Sequence, residues 1–205
     1  MPPTNGMSPT GGGNPVVVSK GIPAAMVRSY KNPLYDSELD RTAAPGADLL
    51  FFQKPIGQFL SDGVTTKTYL HTNLKSAGQL GSPLSFDLYG FNVRVPKGIS
   101  TSDFNSIYTL GVFAFTIGQD TVYLNTPLEE LPCGVDTEGA AVTDAFHNGQ
   151  GTVDNYLRFD IGGRGLHINS TENFQVQITF PSGAPTLTAN RLIRVYLRGI
   201  LYKSM

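Results

Sequence analysis

Along most of this chain, apolar residues fall on every second position. Phe174, Val176, Ile178 and Phe180 alternate with Gln175, Gln177 and Thr179, the period of a strand with one face buried and one face wet. The same period predicts strands over 48–54, 64–72, 83–95, 106–117, 120–125, 155–168, 173–181 and 191–203, with Gly, Pro, Asn and Asp between them. Helical periodicity is almost absent. The pattern predicts one all-β domain of about eight antiparallel strands.

Two strands carry bends that their phase locates. In LSFDLYGFNVRV the apolar set Leu84, Phe86 and Leu88 gives way after Gly90 to Phe91, Val93 and Val95. A slip of one residue exchanges the faces of a strand, so a β-bulge or a crossing between sheets is expected there. Leu157, Phe159 and Ile161 likewise run into Gly162-Gly163 before Leu166 and Ile168 resume, and long strands that bend at Gly are how sandwiches turn corners. Gly118-Gln119-Asp120 is short enough for a hairpin turn. Asn169-Ser170-Thr171 matches a glycosylation sequon but reads as a polar turn between two strands.

The segments between strands differ in kind. Residues 1–27 are rich in Pro and Gly, with the first charge at Lys20. A stretch of this composition buries too little apolar surface to offset its ordering entropy, so it reads as an arm, either a loose tail or a lace between subunits, ahead of a domain over 28–205. From Arg28 to Gly46 the chain is polar, with the acidic cluster Asp36, Glu38 and Asp40, and reads as an extended connection with room for one helical turn. Residues 126–154 form the longest insertion, where Glu129 and Glu130 suit the start of a short helix near Pro127–Leu131. Strands, bends and one long crossing loop fit a Greek-key sandwich better than an up-and-down barrel.

Composition narrows the class. Of 205 residues, 40% are hydrophobic and only 15% charged, against about 25% charged in an average soluble protein. That length supports one well-filled core, and the low charge points to a surface that meets other protein. The net charge of -1 gives no footprint of a nucleic-acid binder, so direct genome binding is not expected. No segment approaches the roughly 20 consecutive apolar residues of a membrane span. Met1 to Ser19 holds no Lys or Arg and no sustained apolar run before Val16, so the protein is expected to be made in a cytoplasm and to stay soluble.

Catalytic and metal chemistry find no motif. Cys133 is the only cysteine, which excludes an internal disulfide and reads as a buried, inert thiol. His71, His147 and His167 are far apart and in no metal-binding frame, and on their predicted strands His71 and His167 read as hydrogen-bonded structural histidines. There is no nucleophile elbow, and neither Gly11-Gly12-Gly13 nor Gly162-Gly163-Arg164-Gly165 matches a phosphate-binding loop. No catalytic, cofactor-binding or metal-binding residue is therefore assigned. Sugar binding through the nine tyrosines is a competing reading, weakened because the chain has no Trp to offer a broad stacking face.

The last strand has a character of its own. In RLIRVYLRGILYKSM the residues Ile193, Val195, Leu197 and Leu201 make an ordinary core face, and Arg194, Tyr196, Arg198 and Tyr202 alternate with them. Arg and Tyr on one strand face are the residues enriched at protein interfaces, and these four are the candidate interface.

Taken together, the Pro/Gly arm, LLFFQKPI, TNLKSAGQL, PLSFDLYGFNVRV, the hairpin LGVFAFTIGQDTVYL, FQVQITFPSG and LIRVYLRGILYKSM resemble the single jelly-roll structural proteins of viruses, bacteriophages in particular. The resemblance covers most of residues 45–205 and is one of architecture. It implies a non-catalytic capsid subunit, located in the virion after assembly in the host cytoplasm, whose partners are copies of itself, as trimers, pentamers or hexamers, and other virion proteins. A cement, decoration or tail-associated protein is built on the same kind of sandwich. The neutral arm departs from the basic arms of many RNA-virus jelly rolls.

Overall fold

The computed structural model describes residues 27–30, 33–95, 99–118, 121–131, 145–146, 157–158 and 165–204. Its strands are β1 (Val27–Tyr30), β2 (Leu34–Asp40), β3 (Leu49–Phe51), β4 (Leu84–Arg94), β5 (Ile99–Ser100), β6 (Val112–Ile117), β7 (Thr121–Pro127), β8 (Ala145–Phe146), β9 (Leu157–Arg158), β10 (Leu166–Ile168), β11 (Phe174–Thr179) and β12 (Arg191–Ser204). One helix, α1 (Thr101–Leu110), and a 3-10 turn, Leu128–Glu130, complete the described elements. The chain is mostly β and the sheets are antiparallel.

The 14-residue β12 is the axis of the larger sheet. One of its sides pairs with β4, and the other is shared by β2 along residues 191–197 and β1 along 201–204. Beyond β4 lie β9 and β10, each pairing with part of it. The second sheet runs β3-β11-β6-β7. Successive strands mostly alternate between the two sheets, and β6–β7 is a hairpin within one of them. The predicted hairpin pairing is thus present, from Ile117 to Thr121, with Gly118 at φ 74.

Alternation fills the space between the sheets. Phe86, Leu88, Phe91 and Val93 of β4 and Ile193, Val195 and Leu197 of β12 are buried opposite Phe113, Phe115, Val176 and Ile178. Phe91 lies 5.3 Å from Phe113 and 4.9 Å from Phe115, ring to ring. Such tilted contacts add about 0.5–1.5 kcal/mol each to the area they bury.

The expected phase slip in β4 is a bulge. The register with β12 shifts between Arg198 and Gly199, which pair with Gly90 and Leu88 and leave Tyr89 unopposed. Gly199 is what allows the two strands to close up here. A Cβ on it would stand 2.1 Å from the Asp87 carbonyl oxygen and 2.5 Å from Phe86 Cζ.

Three expectations need correction. Residues 64–72 are not a strand but part of a compact loop, with an isolated bridge from Phe59 to Thr66. Residues 106–110 belong to α1, not to the following strand. Ser100 caps that helix by accepting from the Asp103 N–H at 3.2 Å, while Ile107 and Tyr108 point into the core, so the helical spacing of Phe104, Ile107 and Tyr108 overrides their β propensity. The connection over 28–46 holds most of β1 and all of β2, and no helical turn among its described residues. Of the strand expected over 155–168, residues 157–158 and 166–168 are described as the strands β9 and β10, and residues 159–164 lie outside the described residues. Residues 1–26, Cys133, His147, Gly162-Gly163 and most of the 126–154 insertion lie outside the described residues. The 3-10 turn Leu128–Glu130 falls where a short helix was expected, and Asn169–Glu172 forms the polar turn between β10 and β11.

Replacing Gly199 with Ala should destabilise the protein by about 3 kcal/mol, the upper range of overpacking. Gly118→Ala, with nothing within 4 Å of its new Cβ, should cost only the smaller penalty of a positive φ, about 1 kcal/mol. Urea midpoints of the two variants make the comparison.

Candidate interaction surface

The surface depends on a buried charge cluster beneath it. On β2 the inward positions are Leu34, Asp36, Glu38 and Asp40, all buried, so three carboxylates occupy sites where the other strands place apolar side chains. Lys67 reaches them from the long excursion between β3 and β4. Its Nζ lies 2.8 Å from Asp36 Oδ1 and 2.7 Å from Glu38 Oε1, with all three side chains at 0–1% exposure. The Phe52 N–H donates to Asp36 Oδ2 at 2.6 Å and the Ser61 N–H to Glu38 Oε2 at 3.0 Å. Lys54, on the solvent side, stands 3.6 Å from Glu38 Oε2.

The excursion also covers the edge of β2 that faces away from β12. The Tyr35 N–H donates to Asn73 Oδ1 and the Asn73 N–H to the Tyr35 carbonyl. The Leu39 N–H donates to Ser61 Oγ, whose hydroxyl donates to the Leu39 carbonyl at 2.6 Å. Inward charges and a covering loop are two ways of keeping an edge strand from pairing with a stranger. Here both act on the same strand.

Above this base, on the outer face of the larger sheet, the structure gathers three of the four candidate interface residues. Arg198 stands 4.9 Å over the Tyr196 ring, Arg94 of β4 stands 5.4 Å from it, and Arg194 Nη1 reaches the Tyr196 hydroxyl at 3.4 Å. Tyr35 joins them, its ring 6.0 Å from Tyr196 and 6.0 Å from the Arg194 guanidinium. Arg194 donates to Ser37 Oγ at 2.9 Å and to the Leu70 carbonyl at 2.6 Å, so it clasps the excursion to the sheet as well as facing outward. Tyr69 and Leu70, next to that clasp, are 65% and 67% exposed. The Tyr35 hydroxyl donates to the Tyr69 carbonyl.

Tyr202 stands apart from this group. It lies toward the far end of β12, hydrogen-bonded to Asp87, and burial together with that carboxylate pushes its phenol well above the ordinary value. Asp87 also contacts His167 Nδ1, so His167 is a hydrogen-bonded strand histidine, as expected. His71 sits in the excursion, not on a strand, with its Nδ1 accepting from the Thr68 N–H at 3.2 Å. Tyr35, Arg94, Tyr69 and Leu70 were missed by sequence reading. Only the alternation of Tyr35 with Asp36 and of Arg94 with Val93 signals their outward direction.

The buried carboxylates differ in electrostatics: Asp36 and Asp40 are raised, and Asp103 is lowered. Burial pushes Asp40 up to about 6, with only the Arg41 N–H pulling the other way. Burial raises Asp36 to about 6 against the pull of Lys67. Arg191, opposite Asp40 in the register, turns instead to Asp103 at 2.6 Å. Burial raises Asp103 too, but donors from Thr188 and Arg191 outweigh it and hold that carboxyl below its ordinary range.

No protein-family model, curated protein or solved structure matches the chain. Among the described residues, no group of three or more His, Cys, Asp or Glu is placed to hold a metal ion, and no helix is long and apolar enough to cross a membrane.

A carboxyl raised in the folded state binds protons more tightly there than in the unfolded chain, so its contribution to stability is largest below pH 4 and is lost as pH rises through about 6. Asp40→Asn removes that penalty. The variant should be more stable than the parent at pH 7 by on the order of 1 kcal/mol, discounted for partial solvation, and its stability should fall less between pH 4 and 6. Denaturant titrations across that range measure both.

Proposed function

We propose that this protein is a structural subunit of a virus particle, of the bacteriophage kind, which associates with copies of itself and with other virion proteins and performs no catalysis. We propose further that its sandwich is a single jelly roll. The strand order supports the second point. Counting β9 and β10 as one position and setting aside β1, β5 and β8, the eight remaining positions run first, eighth, third, sixth in one sheet and second, seventh, fourth, fifth in the other. That interleaving is what two nested Greek keys produce.

The observation that carries the association reading is the outer patch formed by Tyr35, Arg94, Tyr196 and Arg198 with the exposed Tyr69 and Leu70. Arg and Tyr dominate the residues that make interfaces strong, and these are held on a rigid sheet by backbone and side-chain hydrogen bonds. Little conformational entropy remains to be lost on docking. The same geometry weighs against a sugar platform, because guanidinium groups already stand over the Tyr196 ring. In this reading the chain resides in the virion, and whether it forms the main shell or a cement or tail component depends on neighbours the chain does not contain.

Sedimentation of the purified protein should show mass rising with concentration toward a closed oligomer, and electron microscopy should show rings or shells. Deleting residues 1–25 should reduce that assembly if the arm laces subunits. A monomer at every concentration, or saturable sugar binding by that monomer on a glycan array, would contradict the proposal.

A further inference from the structure

We infer that β7 is a two-fold contact, in which the β7 edges of two copies pair antiparallel about Asn125 and join their smaller sheets into one. This inference rests on the self-association reading and names both the surface and its partner, a second copy of this chain.

Among the described residues, β7 is the one long strand edge that the fold leaves open. The excursion covers β2, and the other outer strands, β1, β3, β9 and β10, run for only two to four residues. Short edges are themselves a protection against stray pairing. By contrast, β7 has seven residues and ends its sheet beyond β6. Its only ladder among the described residues is the one with β6. Val122 is 57% and Tyr123 39% exposed, and Asn125 and Pro127 are exposed as well.

The phase of that ladder shows which backbone groups look outward. The Leu128 N–H donates to the Gly111 carbonyl at 2.8 Å, and two residues earlier Thr126 pairs with Phe113 in the same register. Hydrogen-bonded and non-hydrogen-bonded pairs alternate along an antiparallel ladder. Thr126 therefore turns its backbone groups to β6, and Asn125 turns its N–H and carbonyl to the open side. An edge that presents such groups is a template for another strand.

Charge selects a second copy as that strand. The strands of the smaller sheet, β3, β6, β7 and β11, contain no Asp, Glu, Lys or Arg, whereas β2, β4 and β12 of the larger sheet all carry charged residues. Two β7 edges thus meet without like charges directly opposite, which would be destabilising. A two-fold axis at Asn125 lets its N–H donate to the carbonyl of its counterpart and its carbonyl accept in return. The same axis sets Tyr123 opposite Pro127. Tyr123 is left unopposed where the register with β6 shifts, and Pro127 has no N–H to donate, so the two irregular positions fall together at the ends of the new ladder. A two-fold contact is saturated by two copies, so rings or shells use a further surface as well.

The test is sedimentation of the full chain, with thermal melts to verify folding. The parent should dimerise, and salt should not weaken the dimer. Asn125→Pro removes only an outward N–H, a place where an edge strand tolerates Pro, and should weaken dimerisation at least about tenfold while the melt stays near that of the parent. Asn125→Lys and Asn125→Glu should each dimerise poorly alone, because like charges face across the axis, and should associate when mixed. Should the Pro variant unfold, the Lys and Glu pair decides alone, since its site is exposed.

Dimerisation of Asn125→Pro at parental strength would overturn this contact and leave self-association standing on another surface. A parent that stays monomeric would overturn both. Loss of association in the Lys and Glu variants without recovery on mixing would mean that β7 receives some other strand, such as residues 1–26 of a neighbour, and would overturn the inference.

Discussion

The constraint on which the rest of this structure depends is the buried ammonium of Lys67 between Asp36 and Glu38. Taking three charges out of water is expensive, and their mutual attraction offsets that expense only when geometry and extra hydrogen bonds are good. Here the Phe52 and Ser61 N–H groups supply the additional donors. The arrangement stabilises one placement of the excursion over residues 52–83 and no other, because any displacement leaves carboxylates unpaired in the interior. A seam of apolar side chains would tolerate sliding. A salt-bridged seam tolerates much less.

From that fixed placement the Arg/Tyr surface follows. The excursion covers the exposed edge of β2, brings the Leu70 carbonyl to Arg194, and sets Tyr69 and Leu70 beside the Arg/Tyr face of β12. Arg194 therefore belongs both to the packing and to the surface, and the two roles cannot be varied independently. On the opposite layer, the 3-10 turn is held by Leu128 in the core. The common feature is that polar and charged groups are presented from short, rigid pieces anchored by a single buried side chain. That rigidity suits the subunit role proposed above, in which the same contact is made many times without adjustment.

How much of this could be read from the chain depends on what each segment asks of alternation. Strands β4, β6, β11 and β12 put apolar residues inward and polar residues outward, so their existence and even the bulge at Tyr89 are written in the phase of Leu88 and Phe91. Strand β2 inverts the rule. Its inward positions are mostly acidic, so LYDSELD reads as a polar connection, and only its distant partner Lys67, 31 residues after Asp36, makes the inversion tolerable. Lys67 itself sits in a stretch of Thr residues that mimics a strand. Likewise, IYTL taken alone does not say helix; the signal lies before it, in the spacing of Phe104 from Ile107 and Tyr108 and in the Ser100 cap. The Arg/Tyr face of β12 was legible because it alternates, whereas its extension through Arg94, Tyr35 and Leu70 requires knowing which strands are neighbours.

Chemical denaturation of Lys67→Met tests the account most directly. Removing the ammonium leaves Asp36 and Glu38 buried without a counter-charge, and the account predicts a loss of about 3–5 kcal/mol in unfolding free energy. A loss below about 0.5 kcal/mol, the size of an ordinary surface substitution, would contradict the claim that this cluster fixes the excursion and the surface built on it.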